Sequence, residues 1–222
     1  MKPYNLLHYM LLVGIFMLFT YLFNNYLQTD KVIVASLSGK YSNQIISNYL
    51  QQRSQWAWLA YCIVPLLILL RTTIIAFFMQ MVVYFQHLND DDEKLPSFGK
   101  YWSVVLFAEW VAIFMVMAKF LWFAYFQTNY SLEDLQNFNP LSLTNILDTK
   151  TMQVWLAYPI NLISVWEFLY WLLLIIGVKD IFEKTAHPKT WGQSTIIIFL
   201  SYGVALLLWI VAVMYLILNI SS

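Results

Sequence analysis

Long apolar runs separated by short polar joints dominate this chain. The first run, Leu6 to Leu27, holds no charge and no proline. About 20 apolar residues of helix cross the ~30 Å hydrocarbon core of a bilayer. Lys2 precedes this run as in a signal-peptide n-region. The run is too long for a typical h-region and no A-x-A site follows, so the pattern predicts an uncleaved span.

The second run, Trp56 to Phe85, contains Pro65 and Arg71. Thirty residues of helix rise about 45 Å, too long for an upright helix. It must tilt, kink or emerge from the core, and Pro65 is the expected kink because it cannot donate to residue 61. Splitting the run at Arg71 leaves two halves of about 15 residues, each too short to cross. The third run, Trp102 to Phe126, encloses Glu109 and Lys119; the fourth, Val154 to Val178, encloses Pro159 and Glu167; the fifth, Thr195 to Ile220, is free of charge. None has the length or strict alternation of a barrel strand. The prediction is an all-α polytopic membrane protein: a single transmembrane domain over 1–222, with five helices at about 6–27, 56–85, 102–126, 154–178 and 195–220.

The joints carry the polar residues. In the longest, Tyr41, Ile45, Ile46, Tyr49 and Leu50 fall at helical spacing among Ser42, Asn43, Asn48, Gln51 and Gln52. Residues 41–53 are therefore expected to form a short amphipathic helix, on the membrane surface or packed on the ends of the spans. Ser131 to Asp134 resembles a helix start. Lys2, Lys94, Lys100, Lys179, Lys184 and Lys189 fall on one side of the predicted bundle, and Lys31, Lys40, Arg53 and Lys150 on the other. The excess favours a cytoplasmic N-terminus and an outside C-terminus.

Composition narrows function. Hydrophobic residues make up 61% of the 222, charged residues 11%, and the net charge is zero. A soluble fold could not hide so much apolar side chain, and with no basic stretch a nucleic-acid partner is excluded. The lone Cys62 cannot form an internal disulfide.

Four ionisable residues stand inside the runs: Arg71, Glu109, Lys119 and Glu167. Each is costly in lipid and should face protein or water. Arg71 and Glu167 match best in depth, and Glu109 could give Arg71 a second carboxylate. Glu109 and Lys119 are roughly 15 Å apart along one helix and cannot bridge directly; Lys119 could snorkel to the interface. The set reads as a buried network fixing helix order, as a substrate or ion site, or as simple end-snorkelling. Phosphate-binding, zinc and serine-hydrolase motifs are absent. The Asp90–Glu93 run reads as a solvated turn. No catalytic residue, cofactor or metal is expected.

Pro140-Leu141-Ser142-Leu143, Trp155, Tyr158-Pro159 and Trp166-Glu167-x-x-Tyr170-Trp171-x-x-Leu174-x-x-Gly177-Val178 resemble the C-terminal half of the Yip1 domain superfamily over about residues 55–220. That resemblance implies five spans, a bacterial-type protein of the inner membrane, and action through partners or membrane organisation. The long cytosolic N-terminal region of eukaryotic members is missing, so no vesicle-traffic role carries over. The expected function is non-enzymatic, working with membrane lipids and with a membrane-protein partner or a second copy. The alternative is a transporter or accessory permease subunit using Arg71, Glu109 and Glu167. A lipid enzyme using Glu109 or Glu167 lacks a nucleophile or metal beside them.

Overall fold

Inside a bilayer each backbone N–H must find its acceptor within the chain, so the apolar runs become helices. The computed structural model describes residues 3–87, 95–147, 153–183, 185 and 188–221. Its helices are α1 (Pro3–Asn25), α2 (Thr29–Leu37), α3 (Asn43–Gln86), α4 (Phe98–Ala108), α5 (Trp110–Leu121), α6 (Leu132–Asn137), α7 (Val154–Leu162), α8 (Val165–Glu183), α9 (Trp191–Ile198) and α10 (Val204–Ser221). A π-helical turn, Trp122–Phe126, continues α5, and another, Phe199–Gly203, joins α9 to α10. Among the described residues there is no strand, only an isolated antiparallel bridge between Ser142 and Ser164.

Among the described residues, four helical stretches are long and apolar enough to cross a membrane: Tyr4–Asn25, Asn43–Gln86, Phe98–Phe126 and Trp191–Asn219. The chain is thus an all-helical protein of integral membrane type. Two sequence expectations need correction. Residues 43–53 are not a separate surface helix but the opening turns of α3, which runs unbroken for 44 residues through Pro65. The separate helix of that joint is α2, which buries Ile33. The fourth run is not one helix either. It breaks at Ile163, whose ψ of 92 ends α7. Ser164 then opens α8 by accepting the Glu167 N–H at 3.1 Å. A nine-residue α7 rises about 14 Å and cannot cross alone. α8 has the length, but Glu167, Lys179, Asp180 and Glu183 keep it from being a simple apolar span.

Contacts between helix ends fix their relative directions. Asn5 donates to the Gly99 carbonyl at 2.9 Å, Lys189 Nζ lies 3.0 Å from His87 Nε2, and His87 stacks on Phe182. The starts of α1, α4 and α9 and the finishes of α3 and α8 therefore share one end of the bundle, called here the near end. At the far end Phe19, Phe23 and Tyr26 surround Phe120, and Arg53 pairs with Asp30. Lys100 and Lys189 lie at the near end. Lys2, Lys94, Lys150, Lys184 and the Asp90–Glu93 run lie outside the described residues.

The core is a wedge between α3, α4, α8 and α9. α3 buries Ile68, Thr72, Ile75, Ala76, Met79 and Val83, one stripe at helical spacing. Trp102 of α4 donates to the Thr72 hydroxyl at 3.1 Å, tying that stripe to α4. Gly177 does not end its helix. It sits within α8, and a Cβ there would stand 2.3 Å from Val104 Cγ1, so glycine is what lets α8 meet α4.

Candidate functional site

The intramembrane charges gather where this wedge opens. Arg71 projects from the flank of the buried α3 stripe. Glu109 occupies the joint between α4 and α5, where its carbonyl accepts from Ala112 N at 3.0 Å, a tightened turn. Arg71 Nε lies 3.4 Å from Glu109 Oε1. The same oxygen accepts the Tyr170 hydroxyl at 3.0 Å, and the Tyr170 ring lies 5.1 Å from the guanidinium carbon. A cation over an aromatic face gains from the ring quadrupole, most when dry.

Glu167 is not the direct partner of Arg71, although depth suggested it. It lies in the first turn of α8, where its charge complements the helix dipole. Its Oε1 accepts both Tyr202 Oη at 2.7 Å and Trp171 Nε1 at 2.9 Å. That leaves Oε2 without a hydrogen bond among the described residues. The Tyr170 and Tyr202 rings pack at a tilt of 52° with centroids 5.1 Å apart and connect the two carboxylates. The π-turn preceding α10 delivers Tyr202 to this place, and Gly203 beside it leaves room for Trp171, whose Cη2 would stand 2.7 Å from a Cβ. π-turns recur at functional sites. The side chain of Lys119, the fourth candidate, makes no ion pair or hydrogen bond among the described residues and stands apart from the group.

Arg71, Glu167, Tyr170 and Tyr202 line a cavity of about 560 Å³ between α3, α5, α7, α8 and α10, with Glu109 buried behind Arg71. Leu67, Leu70, Ile74, Val111, Met115 and Leu206 supply apolar walls. Trp209 donates to Tyr158 Oη at 2.7 Å and pins α7 across one side. Trp166 donates to the Pro140 carbonyl at 2.7 Å, and Leu143 N donates to Ile163 O, so the loop before α7 is tied to the start of α8. The Arg71 side chain is 48% exposed while Glu109 is 2% exposed. The ion pair is sealed on its acid side and open on its basic side. The lining carries one cation, Arg71, and one carboxylate, Glu167; Glu109, buried behind Arg71 and paired with it, brings the carboxylates to two. Among the described residues no three His, Cys, Asp or Glu side chains converge as a metal would require.

Sequence reasoning found Arg71, Glu109 and Glu167 but not Tyr170, Tyr202 and Trp171 as their partners. The i, i+3, i+4 spacing of Glu167, Tyr170 and Trp171 was a usable signal, since it puts all three on one helix face. Ser164-x-x-Glu167 is a capping-box pattern that marks a helix start within the fourth apolar run. Tyr202 had no local signal, because its role depends on the π-turn. No model of a known protein family matches the chain, and no curated protein and no solved structure matches it.

Proposed function

We propose that this integral membrane protein holds a small amphiphile with a protonated amine in its central cavity, as the substrate-binding part of a membrane transport system. One observation carries the reading: Arg71, paired to the buried Glu109, lines a cavity of about 560 Å³ with its side chain half exposed instead of being sealed in protein. Pockets of roughly 300–1,000 Å³ suit small ligands. Charges in the membrane are costly enough that a purely structural pair should be packed closed. The ligand's sign follows from balance. With Glu109 matched to Arg71, Glu167 is the unmatched charge, and a bound ammonium would neutralise the cavity. Its open oxygen would accept the ammonium while Leu67, Leu70 and Met115 receive the alkyl chain. Among the described residues no cluster of metal ligands stands beside these carboxylates, and the hydroxyls that reach them, Tyr170 and Tyr202, are held as hydrogen-bond donors, which supports binding over chemistry.

The passage Asn139–Glu183 serves in this reading as the return crossing. α5 finishes at the far end and α9 begins at the near end, so the chain must come back between them. That makes five passages, with the N-terminus cytoplasmic and the C-terminus on the opposite face. Reporter fusions to both termini that report the same side would remove this topology.

The ligand class is tested by titrating the purified protein in mild detergent with octylammonium, octanoate and octanol, reading heat of binding. Octylammonium should bind best, and Glu167→Gln should weaken it about tenfold or more, the worth of a charge-assisted hydrogen bond. Preference for octanoate would reverse the assignment and make the open side of Arg71 the anchor.

A further inference from the structure

A second cavity, of about 420 Å³, lies at the near end between α1, α4 and α8. Its lining is graded. α4 contributes Lys100, Ser103, Val104 and Phe107, one face at i, i+3, i+4, i+7. α8 contributes Leu173, Ile176, Gly177, Asp180 and Ile181 in the same spacing, running the opposite way. Lys100 and Asp180 therefore stand together at the mouth, while Phe107 and Leu173 lie about 10 Å deeper. Charge at the mouth and hydrocarbon within is the profile of a bilayer leaflet.

The polar groups there are unspent. Lys100 and Asp180 are exposed, and neither has an ion-pair partner among the described residues. They do not bridge each other. His8 accepts the Trp110 N–H at Nε2, 2.7 Å away, so the neutral ring carries its proton on Nδ1. That Nδ1–H has no hydrogen-bond acceptor among the described residues. Ser103 supplies a further hydroxyl with no hydrogen-bond partner among them. One cation, one anion and three neutral donors, the third being the Tyr4 hydroxyl, on an apolar slot match a zwitterion with a tail.

We propose that this crevice binds a membrane phospholipid whose headgroup carries a phosphate and a primary ammonium, an aminophospholipid. Lys100 takes the phosphate, with the His8 and Ser103 donors available to its oxygens or to the acyl ester. Asp180 accepts hydrogen bonds from the ammonium, and an acyl chain lies along Phe107, Leu173 and Ile176. A quaternary headgroup cannot donate to Asp180, and an anionic headgroup meets it unfavourably. Gly177 sets the floor, because α8 reaches α4 only where no side chain intervenes.

The test uses dihexanoyl phosphatidylethanolamine, phosphatidylcholine and phosphatidylglycerol, titrated against the delipidated full chain in detergent. The ethanolamine lipid should bind about tenfold more tightly than either of the others, from one charge-assisted hydrogen bond. Asp180→Asn should abolish that preference, and Lys100→Ala should weaken all three lipids about tenfold. Both side chains are exposed, so folding should survive, and the melting temperature in detergent checks it. Tighter binding of the glycerol lipid, or an undiminished preference in Asp180→Asn, overturns the proposal. Glu167→Gln separates this site from the central cavity: it should spare the ethanolamine lipid while losing octylammonium, and Asp180→Asn should do the reverse. Loss of the ethanolamine lipid in Glu167→Gln alone would place that lipid in the central cavity and overturn the crevice assignment.

Discussion

The near and far halves of this bundle are both built from apolar helices yet pack differently. In the near half Val83, Tyr101, Val105, Leu174, Val178, Phe182 and Ile197 are all completely buried, and they come from α3, α4, α8 and α9. In the far half no described side chain of α7 or α10 is buried, and the first 25 residues of α3 bury Ile46 alone. Leu66, Leu208, Trp209 and Val211 are exposed apolar side chains that lipid must cover. Hydrophobicity therefore does not decide which helices join, since lipid solvates leucine as well as protein does. Close fit and hydrogen bonding decide it. Gly177 against Val104, Gly203 against Trp171 and Trp102 on Thr72 all lie in or beside the near half. The cavity with Arg71, Glu109 and Glu167 marks the boundary where that fit ends.

The strongest way to break this comparison is to remove the charge at the boundary. Arg71→Leu leaves Glu109 buried without its cation, and breaking a buried pair from one side costs about 3–5 kcal/mol. The expected result is a large drop in folded yield and in melting temperature in detergent. Arg71→Leu with Glu109→Leu should recover most of it, because no unpaired charge is left. Arg71→Leu paired with Glu167→Leu should not recover it, since Glu109, not Glu167, is the ion-pair partner. Recovery by the Glu167 pair instead would show that the boundary is organised around the other carboxylate.

How much of this was written plainly in the sequence divides along the same line. Long apolar runs and isolated charges are composition-level signals, so the helices and Arg71, Glu109 and Glu167 were legible. What failed was reading continuity from hydropathy. Residues 41–53 looked polar enough to be a separate helix, but no glycine or proline separates them from Trp56, and α3 runs straight through. The fourth run looked continuous because Ile163 and Ser164 interrupt backbone geometry without interrupting hydropathy. Tyr202 was invisible because an extra residue in a π-turn re-aims the helix face, and no periodicity calculated at 3.6 residues accounts for it. Pro140 and Trp166, and Ser142 and Ser164, meet in space, contacts that hydropathy does not supply.

Two glycines sharpen the comparison at smaller scale. Gly177→Ala places a methyl group against Val104 in the near half, and overpacking of this kind costs about 1–3 kcal/mol. Gly14→Ala in α1 meets nothing within 4 Å and gains helix propensity, up to about 1 kcal/mol. Melting temperatures should therefore move in opposite directions. Adding Val104→Ala to Gly177→Ala should restore part of the loss by vacating the contested space. If both glycine variants behave alike, fit does not separate the halves.

The smallest expected effect concerns how the boundary is held. Ser164 opens α8 in the middle of an apolar run, and its hydroxyl accepts the Glu167 N–H at 3.1 Å. Removing an N-cap hydroxyl costs about 1 kcal/mol. Ser164→Ala should lower the melting temperature only slightly, much less than Arg71→Leu. Its effect on ligand binding should be disproportionate, because the cap fixes the first turn that carries Glu167 into the cavity. The prediction is a several-fold loss of octylammonium affinity with the near-half lipid crevice unaffected, since Asp180 lies four turns further along α8 in the packed half. Ser164→Asp, which retains an oxygen acceptor but adds a second negative charge, should keep the helix start while changing the cavity's balance toward cations. A variant Ser164→Ala with unchanged octylammonium binding would mean that α8 is positioned by its packed half alone, and that the loose half contributes nothing to where Glu167 sits.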